Sequence, residues 1–210
     1  MSNSPAKNNI LKKIRMALAH PTPLPFPQSE GGEFPLQPLQ QDLDVEFAEQ
    51  FTQLQGKFIF CVDEKEMSDH FQKLCYQKQW TKIYSNEARW QPLVGDKLLY
   101  GDVSTCDAAV TSCEFLVART GSIVLSSVRQ GRIPSVYAPV HICIAFASQL
   151  VYEVKDGLQA MKDKYRQFLP SMITFATGPS RTADIEKTLV VGVHGPKEVY
   201  CFVVDDTQVI

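Results

Sequence analysis

Lys57-Phe-Ile-Phe-Cys-Val62, the stretch Glu64 to Lys78 and Thr81-Lys-Ile-Tyr84 follow one another directly, and their order decides the fold. The first is a short apolar run of the kind that forms a buried strand. The second places Met67, Phe71, Leu74 and Cys75 at helical spacing. The third reads as a second short strand. Strand, helix and strand in succession predict parallel strands joined by a right-handed crossover.

Working toward the C-terminus, Cys106 to Ser112, Phe115 to Ala118 and Ser122 to Ser127 are short strands separated by turn signals. A loop, Arg129 to Ser135, leads into a continuous apolar strand from Val140 to Phe146. Lys155 to Phe168 reads as a helix with Leu158, Met161 and Tyr165 on one side. Met172 to Ala176 is a strand, Thr177 to Arg181 a turn, Thr182 to Val191 a helix and Val199 to Val204 the last strand, a second β-α-β unit. Toward the N-terminus, Asp44 to Gln55 is helical, with Val45, Ala48, Phe51 and Leu54 roughly on one face. His20 to Pro38 holds six of the 13 prolines, a density that blocks helix and central strand and favours extended chain. Pro5 to Ala19 is an amphipathic helix capped by Ser4, with a stripe of Ile10, Leu11, Ile14 and Leu18. The expected fold class is α/β, a mainly parallel sheet flanked by helices with a local antiparallel or bulged portion. Residues 1–38 form an N-terminal helix and proline-rich arm, and residues 39–210 a single α/β domain.

Composition narrows the function. Of the 210 residues, 44% are hydrophobic and 21% charged, which excludes wholesale disorder. The net charge of −2 offers no general argument for nucleic acid or an anionic membrane. The longest fully apolar run, Ile142 to Ala147, is too short to span a membrane, and the N-terminus lacks the apolar core of a secretory signal, so a cytoplasmic location is expected. The six cysteines sit in apolar runs with no Cys-x-x-Cys, as small buried hydrophobes do. With four scattered histidines, no metal ligand set and no iron–sulfur motif is present. There is no Gly-x-Ser-x-Gly, no P-loop and no Gly-x-Gly-x-x-Gly, which argues against serine hydrolases, Walker NTPases and ordinary dinucleotide enzymes.

Four segments could carry chemistry. Thr177-Gly-Pro-Ser-Arg-Thr-Ala-Asp-Ile-Glu186 reads as strand, glycine turn and helix start, which puts free N–H groups at a strand's carboxyl end. There Gly178 and Pro179 shape the turn, Ser180 and Thr182 offer hydroxyls, and Arg181 can clamp a carboxylate or phosphate. Asp184 and Glu186 would repel an anion, or simply complement the helix dipole. Arg119-Thr120-Gly121-Ser122 is a bulge, a backbone–ligand contact or a plain tight turn. His141 is a satisfied core histidine or, if it faces a cleft, an acid/base. His194 lies in a Gly-Val-His-Gly-Pro turn that helix termination also explains.

These same segments resemble the LUD-domain family and, within it, its lactate-utilisation branch. The likeness is carried by Thr120-Gly-Ser-Ile-Val-Leu125, Pro139-Val-His-Ile142, the run from Thr177 to Glu186, and Leu189-Val-Val-Gly-Val-His-Gly-Pro196. The opening helix, Ile10 to Leu18, is similar as well. The resemblance implies a fold like that of sugar-phosphate isomerases and CoA-transferases. It implies a component of a three-protein system oxidising L-lactate to pyruvate, whose other two members are cysteine-rich iron–sulfur proteins. The clusters are then expected only in those partners, and this chain would bind a small carboxylate or dock to them. Where the family commonly carries an acid before Thr-Gly, this chain has Arg119, which cannot act as nucleophile or base but can bind an anion. The alternatives are a stand-alone enzyme on a phosphorylated, CoA-linked or folate-type metabolite, and a purely structural or regulatory subunit. The candidate ligand-binding set is Arg119, Thr120, Gly121, Ser122, Gly178, Pro179, Ser180, Arg181, Thr182, Asp184, Glu186 and His194; the candidate acid/base is His141.

Overall fold

The structure is a computed structural model that describes residues 5–19, 38–39, 41–131, 133–183 and 189–207. It divides into two compact units, Met1–Pro38 and Leu39–Ile210. In the first, α1 (Pro5–Leu18) is the expected amphipathic helix, and Ile10, Leu11, Ile14 and Leu18 on its stripe are exposed. The proline-rich arm lies outside the described residues apart from Pro38.

The second unit runs α2 (Leu43–Gln53), β1 (Lys57–Cys61), α3 (Glu64–Lys78), β2 (Ile83–Tyr84), α4 (Gln91–Val94), β3 (Ala108–Thr111), β4 (Phe115–Val117) and β5 (Ser122–Ser126). It continues with α5 (Pro134–Tyr137), β6 (Val140–Phe146), β7 (Leu150–Val151), α6 (Val154–Tyr165), β8 (Ile173–Ala176), β9 (Arg181–Ala183), β10 (Leu189–Val191) and β11 (Glu198–Val204). Five strands form a parallel sheet in the order β1-β11-β6-β3-β2. A second sheet, β7-β4-β5-β8, is mixed, with β5 antiparallel to both neighbours.

The strand, helix and strand that open the sequence argument are present and the two strands are parallel, but β1 and β2 stand at opposite edges of the sheet with three strands between them. α3 has the expected bounds, and its N-cap Asp63 accepts a hydrogen bond from the Glu66 amide at 2.7 Å. Met67, Phe71 and Cys75 of α3 pack on one face of the parallel sheet against Ile142, Ile144 and Phe202. The strands alternate, so Cys143, Ala145, Cys201 and Val203 point to the opposite face. There Phe47 and Phe51 of α2 and Leu116, Ile123 and Leu125 of the second sheet cover them. All six cysteines are free and buried, and burial pushes the Cys61 and Cys75 thiols up to about 11.

The C-terminal third departs from expectation. β8 joins the second sheet antiparallel to β5 instead of opening a β-α-β unit. Thr182 to Val191 is not a helix. Its two ends are β9 and β10, paired antiparallel with Thr182 opposite Val190, and residues 184–188 lie outside the described residues. The β-branched residues Thr182, Val190 and Val191 win over the acids that resembled a helix's first turn.

Candidate functional site

The motif segments gather at the amino ends of the parallel strands, around the last turn of α2. Thr120 Oγ1 lies 2.8 Å from Ser122 Oγ, which lies 2.7 Å from Thr177 Oγ1. This line of hydroxyls joins the start of β5 to the end of β8. Two glycines then meet the helix. Gly121 has φ +58°, and a Cβ there would stand 2.6 Å from the backbone nitrogen of Phe51. Gly178 has φ +81°, and its Cβ would stand 2.6 Å from the Leu54 carbonyl oxygen. Both positions exclude a side chain by conformation and by space. The close approach that each glycine permits is to the protein's own helix.

The polar groups of the motif are likewise engaged. Arg181 donates from Nη2 to the Leu54 carbonyl at 2.8 Å, a cation at a helix C-terminus. The Ser180 amide donates to Pro196 and the Gly192 amide to Ser180, each at 2.9 Å. Pro179 is buried, while Thr182 is half-buried within β9. Because the residues after Arg181 enter a strand, the loop is no helix N-terminus, and the expected cradle of free amides is replaced by these bonds. Asp184 and Glu186 lie outside the described residues.

Two further expectations change. Arg119 pairs with Glu153 at 2.5 Å, so the carboxylate it holds is the chain's own. Glu153 is nearly buried and caps α6. His141 faces no cleft: it is fully buried, with Nε2 2.8 Å from Thr111 Oγ1. Burial pushes its pKa down to about 4, and Nδ1 has no hydrogen-bond partner among the described residues. The imidazole is therefore held neutral inside the sheet.

His194 is the motif residue left open. It is exposed and lines a recess of about 400 Å³ with Val136, Tyr137, Pro139, Val193 and Lys197. The recess lies where β6 and β11 begin, and the Lys197 amide donates to the Pro139 carbonyl across it at 2.8 Å.

Sequence reasoning missed a second polar assembly, at the carboxyl ends of β2 and β3. Ser112 donates its amide and its hydroxyl to the two carboxylate oxygens of Glu87, at 2.7 and 2.5 Å. Gln130 donates to Ser112 Oγ at 3.0 Å and accepts from the Ser126 amide at 2.8 Å. Ser126 donates to Glu114 at 2.5 Å, and Lys164 and Tyr165 also donate to Glu114, at 2.5 and 2.8 Å. Glu114 is 1% exposed. Burial alone would raise its pKa, but the bonds from Lys164, Ser126 and Tyr165 outweigh it and hold the carboxyl below its usual range. The sequence signal was a Ser112-Cys-Glu114 run directly after the short strand Ala108-Ala-Val-Thr111. Among the described residues, no group of three or more His, Cys, Asp or Glu is disposed to hold a metal ion, and no helix is long and apolar enough to cross a membrane.

A family model described as the LUD domain matches residues 76–204, more than half of the chain. The chain belongs to the LUD-domain family. All four quoted segments lie wholly inside the match, whereas the opening helix lies outside it. Among curated relatives of this LUD-domain chain, Lactate utilization protein C of Deinococcus radiodurans is 35% identical over 127 residues, 60% of this chain and 57% of that protein. The protein of the same name from Bacillus licheniformis is 34% identical over 134 residues, 62% and 54% respectively. That of Bacillus subtilis is 27% identical over 161 residues, 75% and 67%. The match thus takes in little more than half the length of the first two relatives. The crystal structure of a DUF162 family protein from Deinococcus radiodurans shares the fold, with a TM-score of 0.57 at 20% identity over 77% of this chain and 96% of that one.

Proposed function

We propose that this LUD-domain chain is the component of a lactate-utilisation system that holds no iron–sulfur cluster, and that it binds a small carboxylate, L-lactate or pyruvate, in the recess beside His194. The relatives' names motivate the system. The geometry adds one observation: an exposed imidazole and an exposed ammonium, His194 and Lys197, line the same recess next to the segment that marks the family. An ammonium attracts a carboxylate, and an imidazole can hydrogen-bond the neighbouring hydroxyl or keto oxygen. Thermal unfolding of the chain with L-lactate, D-lactate and pyruvate tests the reading. Saturation at 100 times the dissociation constant adds about 2.7 kcal/mol, a readable shift. The shift should disappear in Lys197→Ala and shrink in His194→Ala. A shift unchanged in both, or none with any of the three acids, overturns the site.

A second reading is docking to iron–sulfur partner proteins through α1. Its apolar stripe is exposed, from 38% at Leu11 to 75% at Leu18, and Lys7, Lys12, Lys13 and Arg15 accompany it. Deleting residues 1–38 should then abolish co-purification with the partners and leave ligand-induced shifts intact.

A further inference from the structure

The two edges of the parallel sheet differ. β2, at one edge, is only two residues long, and Ile83 makes a further bridge to Leu99 outside it. Shortness and an added bridge are ordinary ways of closing an edge. β1, at the other edge, is five residues long, Lys57-Phe-Ile-Phe-Cys61, and among the described residues pairs only with β11. It holds no proline and has no charge after Lys57. Phe60 is 39% exposed, and Val62 just beyond it is 65% exposed. Among the described residues nothing pairs with its outer side. A long apolar edge with free backbone donors and acceptors is a template for another strand.

We propose that β1 is the contact between two copies of this chain, joined antiparallel edge to edge across a two-fold axis. Three features favour a second copy over any other occupant. The strand is self-complementary: pairing centred on Ile59 sets Phe58 against the partner's Phe60 on the α2 side. It sets Ile59 against its own mate, and Lys57 against the partner's Cys61, on the α3 side, so no like charges meet. The helix beside it is self-complementary too. Of α3, His70, Lys73, Leu74 and Gln77 line the groove beside β1, and Glu66 and Asp69 stand one helical turn before His70 and Lys73. Two such helices related by the same axis run antiparallel, which brings the acidic half of each to the basic half of the other. Finally, a groove of about 330 Å³ floored by Ile59, Leu74 and Phe202 follows the edge, an apolar surface that the second strand's side chains would cover.

Sedimentation velocity of the full chain across the low micromolar range tests the proposal. The expected species is twice the chain's mass of 23.6 kDa. Phe60→Lys puts a charge on the edge and should weaken self-association by at least tenfold. Val62→Lys, beyond the strand and more exposed, does the same where the first variant fails to fold. Phe168→Lys alters an 84% exposed aromatic elsewhere and should leave the dimer unchanged. Lys73→Glu should weaken the dimer, and Lys73→Glu combined with Asp69→Lys should restore it. A chain that stays monomeric overturns the proposal. So does a dimer that survives both edge variants, or one that Phe168→Lys abolishes equally.

Discussion

At the amino ends of the parallel strands, loops meet backbone: Gly121 and Gly178 press on the last turn of α2, and Arg181 bonds its carbonyl. At the carboxyl ends, side chains meet side chains, from Glu87 through Ser112, Gln130 and Ser126 to Glu114, Lys164 and Tyr165. The first region is dense in recognisable motif and spends that motif largely on packing. The second has no motif and holds a nearly buried carboxylate. Buried polar chemistry thus occurs with motif, at His141 and at Glu153 beside Arg119, and without it, at Glu114, and each end can be perturbed without the other.

The largest effect is expected where backbone meets backbone. Gly121→Ala adds a side chain at positive φ and against the Phe51 amide, and should cost about 4 kcal/mol in urea unfolding. A cost near zero would mean that α2 does not seat on this loop. Next, His141 ties the amino region to pH. Its folded pKa, about 4, lies below the usual 6.5, so the unfolded chain binds the extra proton between those values. Stability should be full above pH 6.5 and fall by about 3 kcal/mol as pH drops to 4. His141→Gln should flatten that window, and an unchanged profile would place the titrating group elsewhere.

At the other end, Glu114→Ala leaves Tyr165 and Ser126 without their acceptor and frees the half-exposed Lys164. The loss should be about 2 kcal/mol, with no change in any ligand-induced shift. The smallest effect is expected from Arg181→Ala, about 0.5 kcal/mol, as for one cation at a helix C-terminus. Should that variant instead abolish a lactate shift with stability intact, the motif would be chemical after all, and the contrast between the two ends would dissolve.

The legible parts of the fold were those with local period. α3 is legible to its ends because Met67, Phe71 and Cys75 recur at helical spacing, and β6 because Val140 to Phe146 is apolar but for His141. Thr182 to Val191 misled because Asp184 and Glu186 imitate a helix start, while the pairing of Thr182 with Val190 is a tertiary fact. The site was legible only as residue identity. Arg119 was read as an anion binder, yet its anion is Glu153, and Glu114 went unread because its donors come from positions 12 to 51 residues away.

The bond from Arg181 to the Leu54 carbonyl spans 127 residues of sequence. On a ribosome, α2 emerges long before the glycine loop that seats it, and its last carbonyl waits in water until most of the chain has been made. Closing so long a loop is slow and comes late. The end of the domain that carries the family's signature is thus a part that assembles late, and a chain released early would present α2 with its apolar face incompletely seated.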